Sequence, residues 1–177
     1  MEGLRSIGIS GNAAEKGLYY TGNESADQAA EWVFNHMDDP TLDSPLDEVI
    51  VSSSHVTSCK MIFVVNSSLG MSCGKTAAQV AHAAVDLYRN AATKPFDHPH
   101  HQFIVSWQTT GETKIVLKGQ SVGELEALVE KAEQLRLITS TIRDAGKTEI
   151  PSGTLTVVAI AGKTSEVDTV TGHLNLL

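Results

Sequence analysis

Met61-Ile62-Phe63-Val64-Val65, the polar loop Asn66 to Gly74, and then Lys75-Thr76-Ala77-Ala78-Gln79 set the architecture of this chain. Five consecutive apolar residues suit a strand buried on both faces, and the spacing after the loop predicts a helix from about Lys75 to Asn90. Working outward, further strands are expected at Thr113 to Lys118, Leu137 to Arg143 and Thr154 to Ile160, with a helix at Val122 to Gln134. Strand, helix, strand, helix, strand, strand is an α/β pattern around one sheet. Gln102 to Trp107 is β-branched and aromatic and reads as one more strand. His98-Pro99-His100-His101 reads as a solvated loop, because a metal there would need a carboxylate or thiolate that the sequence does not place nearby.

Composition narrows the function classes. A chain of 177 residues holds one domain, or one and a small fraction, and 41% hydrophobic with 19% charged residues is enough for a packed core. No apolar run approaches the roughly 18 residues that span a bilayer, and Met1 to Ile7 has no signal-like apolar region, so no membrane partner and a cytoplasmic location are expected. Cys59 and Cys73 stand far from any metal-ligand spacing, which fits a reducing compartment. The charge of −8 is uneven: residues 1–59 carry two basic against ten acidic residues, whereas residues 60–177 carry eleven of each. The acidic part repels phosphate backbones, and the neutral part is free to carry a local basic patch. The acidic part reads as short helices. Asn12 with Glu15 and Ser25 with Gln28 are N-terminal caps, Gly22 is a C-terminal stop, and an apolar series runs Ala26, Ala29, Ala30, Val33, Met37 up to Asp38-Asp39-Pro40. From Asp38 to about Ser58 the composition is that of a linker, one that would separate two units by about 25 Å.

The helix after the loop has two expected faces. Lys75, Gln79, His82, Asp86 and Arg89 fall within about 80° of one another, opposite Ala77, Val80, Ala81, Ala84, Val85 and Tyr88. The apolar side is expected to pack on the sheet, leaving Asp86 and Arg89 in water. Lys75 in the first turn opposes the helix dipole, which points to a functional use beside backbone N–H groups that invite an anion. Gly70-x-x-x-Gly74-Lys75-Thr76 looks like a phosphate loop but is one residue short, since Leu69 stands where its first glycine belongs. No magnesium-binding aspartate ends an apolar strand, so a nucleotidase is disfavoured.

Leu69-x-Met71-x-x-Gly74-Lys75-x-Ala77-Ala78-Gln79-x-x-His82-Ala83-Ala84 resembles the type II peptidyl-tRNA hydrolases. So do Asp144-Ala145-Gly146-Lys147-Thr148-Glu149-Ile150, Gly153-x-x-Thr156 and Thr171-Gly172-His173-Leu174-x-Leu176, in the family's order. The resemblance covers residues 60–177. It implies a mixed four-stranded sheet with helices on both faces, and hydrolysis of the ester that joins a peptide to the 3′-terminal ribose of tRNA. It implies no metal or organic cofactor and leaves a homodimer open. By the same resemblance Lys75, Asp144 and Thr156 form the catalytic cluster, with Lys75 stabilising an anion and Asp144, through Thr156, orienting a water. Gln79, His82 and Gly74 support it, and Arg143 and Lys147 are the remaining tRNA contacts near the site.

Ile7-Gly8-Ile9, Ala13-Ala14-Glu15-Lys16-Gly17-Leu18, Thr21-Gly22-Asn23-Glu24-Ser25-Ala26 and Ala30-Glu31-Trp32-Val33-Phe34 resemble a ubiquitin-associated domain, a small three-helix bundle. The implied arrangement is a bundle at 1–46, an acidic, serine-rich linker at 47–59 and the hydrolase-like domain at 60–177. The implied partner is ubiquitin, bound weakly through Gly8, Ile9 and Phe34. One departure matters for the second unit. Asn66-Ser67-Ser68, Gly70 and Ser72-Cys73 stand where the hydrolase family typically has Arg-x-Asp and lysines, so several charges that would meet tRNA phosphates are gone. The competing reading is a weak or inactive hydrolase-fold adaptor that binds ubiquitin or ubiquitinated proteins.

Overall fold

A computed structural model of the chain describes residues 2–46, 58–95 and 98–177. The chain divides into two compact units, residues 1–56 and 57–177.

In the first unit α1 (Glu2–Ser6), α2 (Gly11–Tyr20) and α3 (Ala26–Asn35) form a bundle. Helix α1 ends in a glycine-capped turn: Gly8 has φ +88°, its amide donates to Arg5 O at 3.1 Å, and Ile9 N donates to Leu4 O at 3.2 Å. That turn folds the residue after the glycine back onto the helix's last turn, so Ile9 joins Leu4 in the core with Ala13, Ala14, Ala29, Ala30 and Val33. The expectation that Ile9 lies on an exposed binding face is therefore corrected: it is 7% exposed, while Phe34 is 53% exposed. Gly17 lets α2 and α3 touch, since a Cβ there would stand 2.6 Å from Ala29 O. Ser25 caps α3 at Gln28 N, as its spacing predicts. The cap of α2 is Ser10, bonded to Ala13 N, and not Asn12, whose amide donates to Asp43 O at 2.6 Å. Helix α3 stops at Asn35 and leaves Met37 exposed. The segment read as the start of a linker packs on the bundle instead: Lys16, a buried lysine, donates to Thr41 O, and Ser10 donates to the Asp43 carboxylate. Of the 47–59 linker, residues 47–57 lie outside the described residues, and Cys59 already belongs to a strand.

The second unit is a four-stranded sheet in the order β2-β1-β4-β3, comprising β1 (Cys59–Asn66), β2 (Lys114–Gly119), β3 (Ile138–Arg143) and β4 (Leu155–Lys163). β1 and β2 are parallel, and β4 runs antiparallel to both β1 and β3. Every residue of β1 is buried, because its alternate side chains feed two cores. Met61, Phe63 and Val65 pack with Val157 and Ala159 under α4 (Cys73–Ala92) and α5 (Pro99–Thr109). Ile62 and Val64 pack with Val158 and Ile160 under α6 (Val122–Gln134) and α7 (Thr164–Thr171). The α/β class, the mixed four-stranded sheet and the helices on both faces stand as expected, and α6 has the bounds its sequence predicts.

Two expectations fail on this unit. Gln102 to Trp107 is helical, within α5, because Pro99 sits at the helix start, His98 caps it at His100 N, and Phe103, Ile104 and Trp107 line one buried face. The triple-histidine stretch thus opens a helix and is not a solvated loop. Helix α4 is also rotated from its expected orientation, with Gln79, Ala83, Leu87 and Ala91 turned inward and Val85 and Tyr88 outward. The sheet supplies partners for the polar residues that this rotation brings in. Asp86 Oδ2 accepts from Ser140 Oγ at 2.6 Å, so Asp86 is no solvated face residue, and Thr156 meets Gln79. Among the described residues no helix is long and apolar enough to cross a membrane.

Candidate active site

The site forms where β1 ends, β4 begins and α4 starts. Asn66, buried at the end of β1, donates its amide to Leu155 O at 3.2 Å and accepts from Ser68 Oγ at 2.6 Å. These bonds tie the mouth of the loop to β4 with a neutral pair. A short 3-10 turn (Ser67–Leu69) closes on Gly70, and Ser72 caps α4 by accepting from Lys75 N at 3.2 Å. Lys75 then leaves the first helical turn with its side chain pointing into the loop after β3, which spans residues 144–154.

Lys75 Nζ donates to Asp144 Oδ1 at 2.6 Å, makes a closer contact with Oδ2, and donates to Thr148 Oγ1 at 3.0 Å. The two charged side chains are 11% and 3% exposed. The Lys75 hydrogen bond is the largest influence holding the Asp144 carboxyl below its ordinary value, with the amides of Gly146 and Ala145 adding to it. Gly146 allows this turn: its φ is +75°, and a Cβ would meet Ser152 at 2.8 Å. Asp144 is thus an acceptor saturated by a cation and two backbone donors, and Lys75 has all three ammonium protons engaged. Desolvating both charges offsets much of what their attraction contributes to stability; an exposed hydroxyl, Thr148, is the one partner of Lys75 that a ligand oxygen can displace cheaply.

One turn along α4, Gln79 Oε1 accepts from Thr156 Oγ1 at 2.5 Å, and Thr156 also lies 3.1 Å from Ile142 O. Thr156 has no exposed surface, and the partners of its hydroxyl are Gln79 and Ile142 O. It therefore acts on Gln79, and the expected route from Asp144 through Thr156 to a water is not formed. Gly74 stands exposed in the first turn, with open space where a Cβ would go. Lys147 is exposed on the same loop as Asp144, and His82 is exposed on α4. Arg143 is not brought to the cluster: it bonds Glu126 of α6 at 3.3 Å and Gly153 O at 3.1 Å, on the opposite face of the sheet from α4. Sequence reasoning missed Glu149, whose carboxylate accepts from Ser72 N at 3.0 Å and Ser72 Oγ at 2.6 Å. The available signal was the serine three residues before Lys75, a cap spacing. Among the described residues no group of three His, Cys, Asp or Glu side chains is close enough to hold a metal.

The family model described as peptidyl-tRNA hydrolase PTH2 matches residues 59–177, the whole of this sheet and the cluster on it. The chain belongs to the PTH2 family. A UBA-like domain model matches residues 1–44. The peptidyl-tRNA hydrolase of Sulfurisphaera tokodaii is 44% identical over 119 residues, covering 67% of this chain and 98% of its own length. A probable peptidyl-tRNA hydrolase 2 of Caenorhabditis elegans is 34% identical over 183 residues, covering 98% of this chain. The human mitochondrial peptidyl-tRNA hydrolase 2 is 41% identical over 118 residues. This chain spans 57% of the nematode protein and 63% of the human one. PTH2 membership covers the segments that build the Lys75 site, from the strand before the loop to the C-terminal helix.

Proposed function

We propose that the chain hydrolyses the ester between peptide and tRNA in peptidyl-tRNA, with Lys75 as the group that meets the reacting carbonyl. The observation that carries this reading is the Lys75–Asp144 pair, held at the start of α4 with one replaceable partner, Thr148. When the substrate's carbonyl oxygen takes the place of Thr148, the ammonium faces the oxygen on which negative charge develops. Asp144 keeps Lys75 in place. Its lowered pKa makes it a weak proton acceptor at neutral pH, and with its oxygens taken up by Lys75 and two amides its role is to hold the ammonium at the reacting carbonyl. Water oxygen bonds to the carbonyl carbon, the bond to the ribose 3′-oxygen breaks, and that oxygen leaves with the proton the water gives up. Gln79, fixed by Thr156, lies one turn from Lys75 on the same helix and is buried against the sheet.

Substrate grip is thin. Lys147 is exposed beside the site, whereas Arg143 is committed to Glu126 on the other face. With Asn66 and Ser68 forming a neutral pair at the loop mouth, few phosphate contacts remain there. The test is release of N-blocked amino acid from N-blocked aminoacyl-tRNA by the full chain. A rate indistinguishable from the uncatalysed one, with the chain folded, removes the hydrolase reading and favours the adaptor, to which the neutral Asn66–Ser68 pair already lends support.

For the first unit we propose weak ubiquitin binding through exposed apolar residues on the turn after α1 and at the end of α3. Ile7 and Phe34 are more than half exposed, as is Met37 just beyond the helix, and acidic residues surround them in sequence. Gly8 shapes the turn, and Ile9 supports it from the core. NMR titration of the full chain with ubiquitin should give saturable shifts at Ile7, Gly8 and Phe34, with a dissociation constant of roughly 10–1000 μM, as suits an interface below standard size. No shifts at millimolar ubiquitin would remove that partner.

A further inference from the structure

The loop that carries Asp144 grips the start of α4 twice. Inside, Asp144 and Thr148 hold the Lys75 ammonium. Outside, the next residue, Glu149, receives both the backbone N–H and the hydroxyl of Ser72. That same hydroxyl accepts from Lys75 N. A closed ring results: Glu149 fixes the Ser72 hydroxyl, Ser72 fixes the backbone of Lys75, the Lys75 side chain reaches Thr148, and Thr148 is joined covalently to Glu149. Ser72 and Glu149 are both exposed, so their contact contributes little to the core. The Ser72 hydroxyl, and after it the Ser72 amide, hold the Glu149 carboxyl below its ordinary value, so it remains charged through the neutral range. Lys75 is also near enough to act on that carboxyl electrostatically, and Asp144 opposes it.

We propose that Glu149 is a positioning residue: through Ser72 it latches the first turn of α4 to the 144–149 loop and so sets where Lys75 presents its ammonium. Glu149 does not touch the substrate. It acts on geometry, and a reacting group displaced by about 1 Å costs up to about a hundredfold in rate. The inference rests on the hydrolase reading for its kinetic arm only.

The experiment compares full-length wild type, Glu149→Ala, Glu149→Gln, Ser72→Ala and the double variant Glu149→Ala with Ser72→Ala. N-blocked aminoacyl-tRNA turnover and backbone amide exchange are read on each. Glutamine can accept from Ser72 N with its oxygen and donate to Ser72 Oγ with its nitrogen, so it keeps the latch. Expected are a kcat lowered about tenfold in Glu149→Ala with KM changed less than about twofold, and near wild-type turnover in Glu149→Gln. The double variant should be no worse than either single one, since the two residues form one contact. Equal loss in Glu149→Gln and Glu149→Ala, or a loss confined to KM, overturns the latch, as does wild-type kcat in Glu149→Ala. A wild type without turnover sinks the hydrolase reading instead. The latch is then decided by exchange: the Ser72 and Lys75 amides must lose protection in Glu149→Ala and keep it in Glu149→Gln, and unchanged protection in Glu149→Ala overturns it.

Discussion

The two units use their unusual residues in opposite ways. In the bundle, a residue expected on the surface is spent on the core: Ile9 is drawn in beside Leu4 because α1 has five residues and little else to bury. In the sheet unit, residues expected on the surface are drawn in although they are polar: Gln79 and Asp86 face the sheet, and Lys75 and Asp144 pair with little exposure. The first unit is small, and Ile9 supplies core that α1 otherwise lacks, whereas the second, of about 120 residues, surrounds its buried polar groups with partners. Burial thus takes Ile9 from the proposed binding face in the first unit, whereas in the second it gathers the polar residues of the candidate site.

The sharpest way to break this comparison is Ile9→Glu. A carboxylate among Leu4, Ala13 and Val33 has no partner there, so the bundle should unfold outright, visible as loss of dispersed NMR signals for residues 2–46. Phe34→Glu should leave those signals in place, and a folded Ile9→Glu bundle would return Ile9 to the surface. The counterpart in the sheet unit is Lys75→Ala, which leaves the fold intact while reducing turnover on the order of a hundredfold or more. A smaller effect is expected from Thr156→Val, which leaves Gln79 Oε1 without its donor inside the core. Stability should fall by about 1–3 kcal/mol in a denaturant titration, with a modest loss of rate. An unchanged midpoint would mean that Gln79 finds another donor.

Acid should separate the units further. Because Asp144 is held below its ordinary 3.8, its pairing with Lys75 contributes fully above that value and is lost as pH falls through the lower folded value. The stability gap between wild type and Asp144→Asn is thus expected to be constant from neutral pH down to about 4 and to close only in stronger acid. A gap that closes near pH 6 would show that the carboxyl is not held low. The smallest effect concerns salt: with the loop mouth neutral, log K for tRNA should fall with log salt at a slope shallower than about −5, at roughly −0.9 per phosphate. A slope of −6 or steeper would locate a basic patch away from the site.

Much of the sheet unit was legible because burial on two faces writes a continuous apolar run, Met61 to Val65, and β4 repeats it. The orientation of α4 was not legible. Its pattern offers an alanine-rich side and a polar side, and a helix with both small apolar and bondable polar residues is turned by what the sheet presents, here Ser140 and Thr156. Gln102 to Trp107 misled for a related reason: β-branched and aromatic composition is a packing preference, and Pro99 with a His98 cap outweighs it. In the candidate site, Lys75 announced itself by opposing the helix dipole, whereas Glu149 did not, since a glutamate in a loop reads as solvated until its distant partner is known. Arg143 lies one residue before Asp144 yet points the other way, because successive strand residues alternate faces.

The most direct measurement is multiple-turnover release of N-blocked amino acid from N-blocked aminoacyl-tRNA by the full chain at neutral pH and low salt, with Lys75→Ala and Asp144→Asn alongside. Turnover well above the uncatalysed rate in wild type, cut on the order of a hundredfold in both variants while circular dichroism is unchanged, is the predicted result. Turnover that survives in both folded variants would contradict the assignment of the chemistry to the Lys75–Asp144 pair.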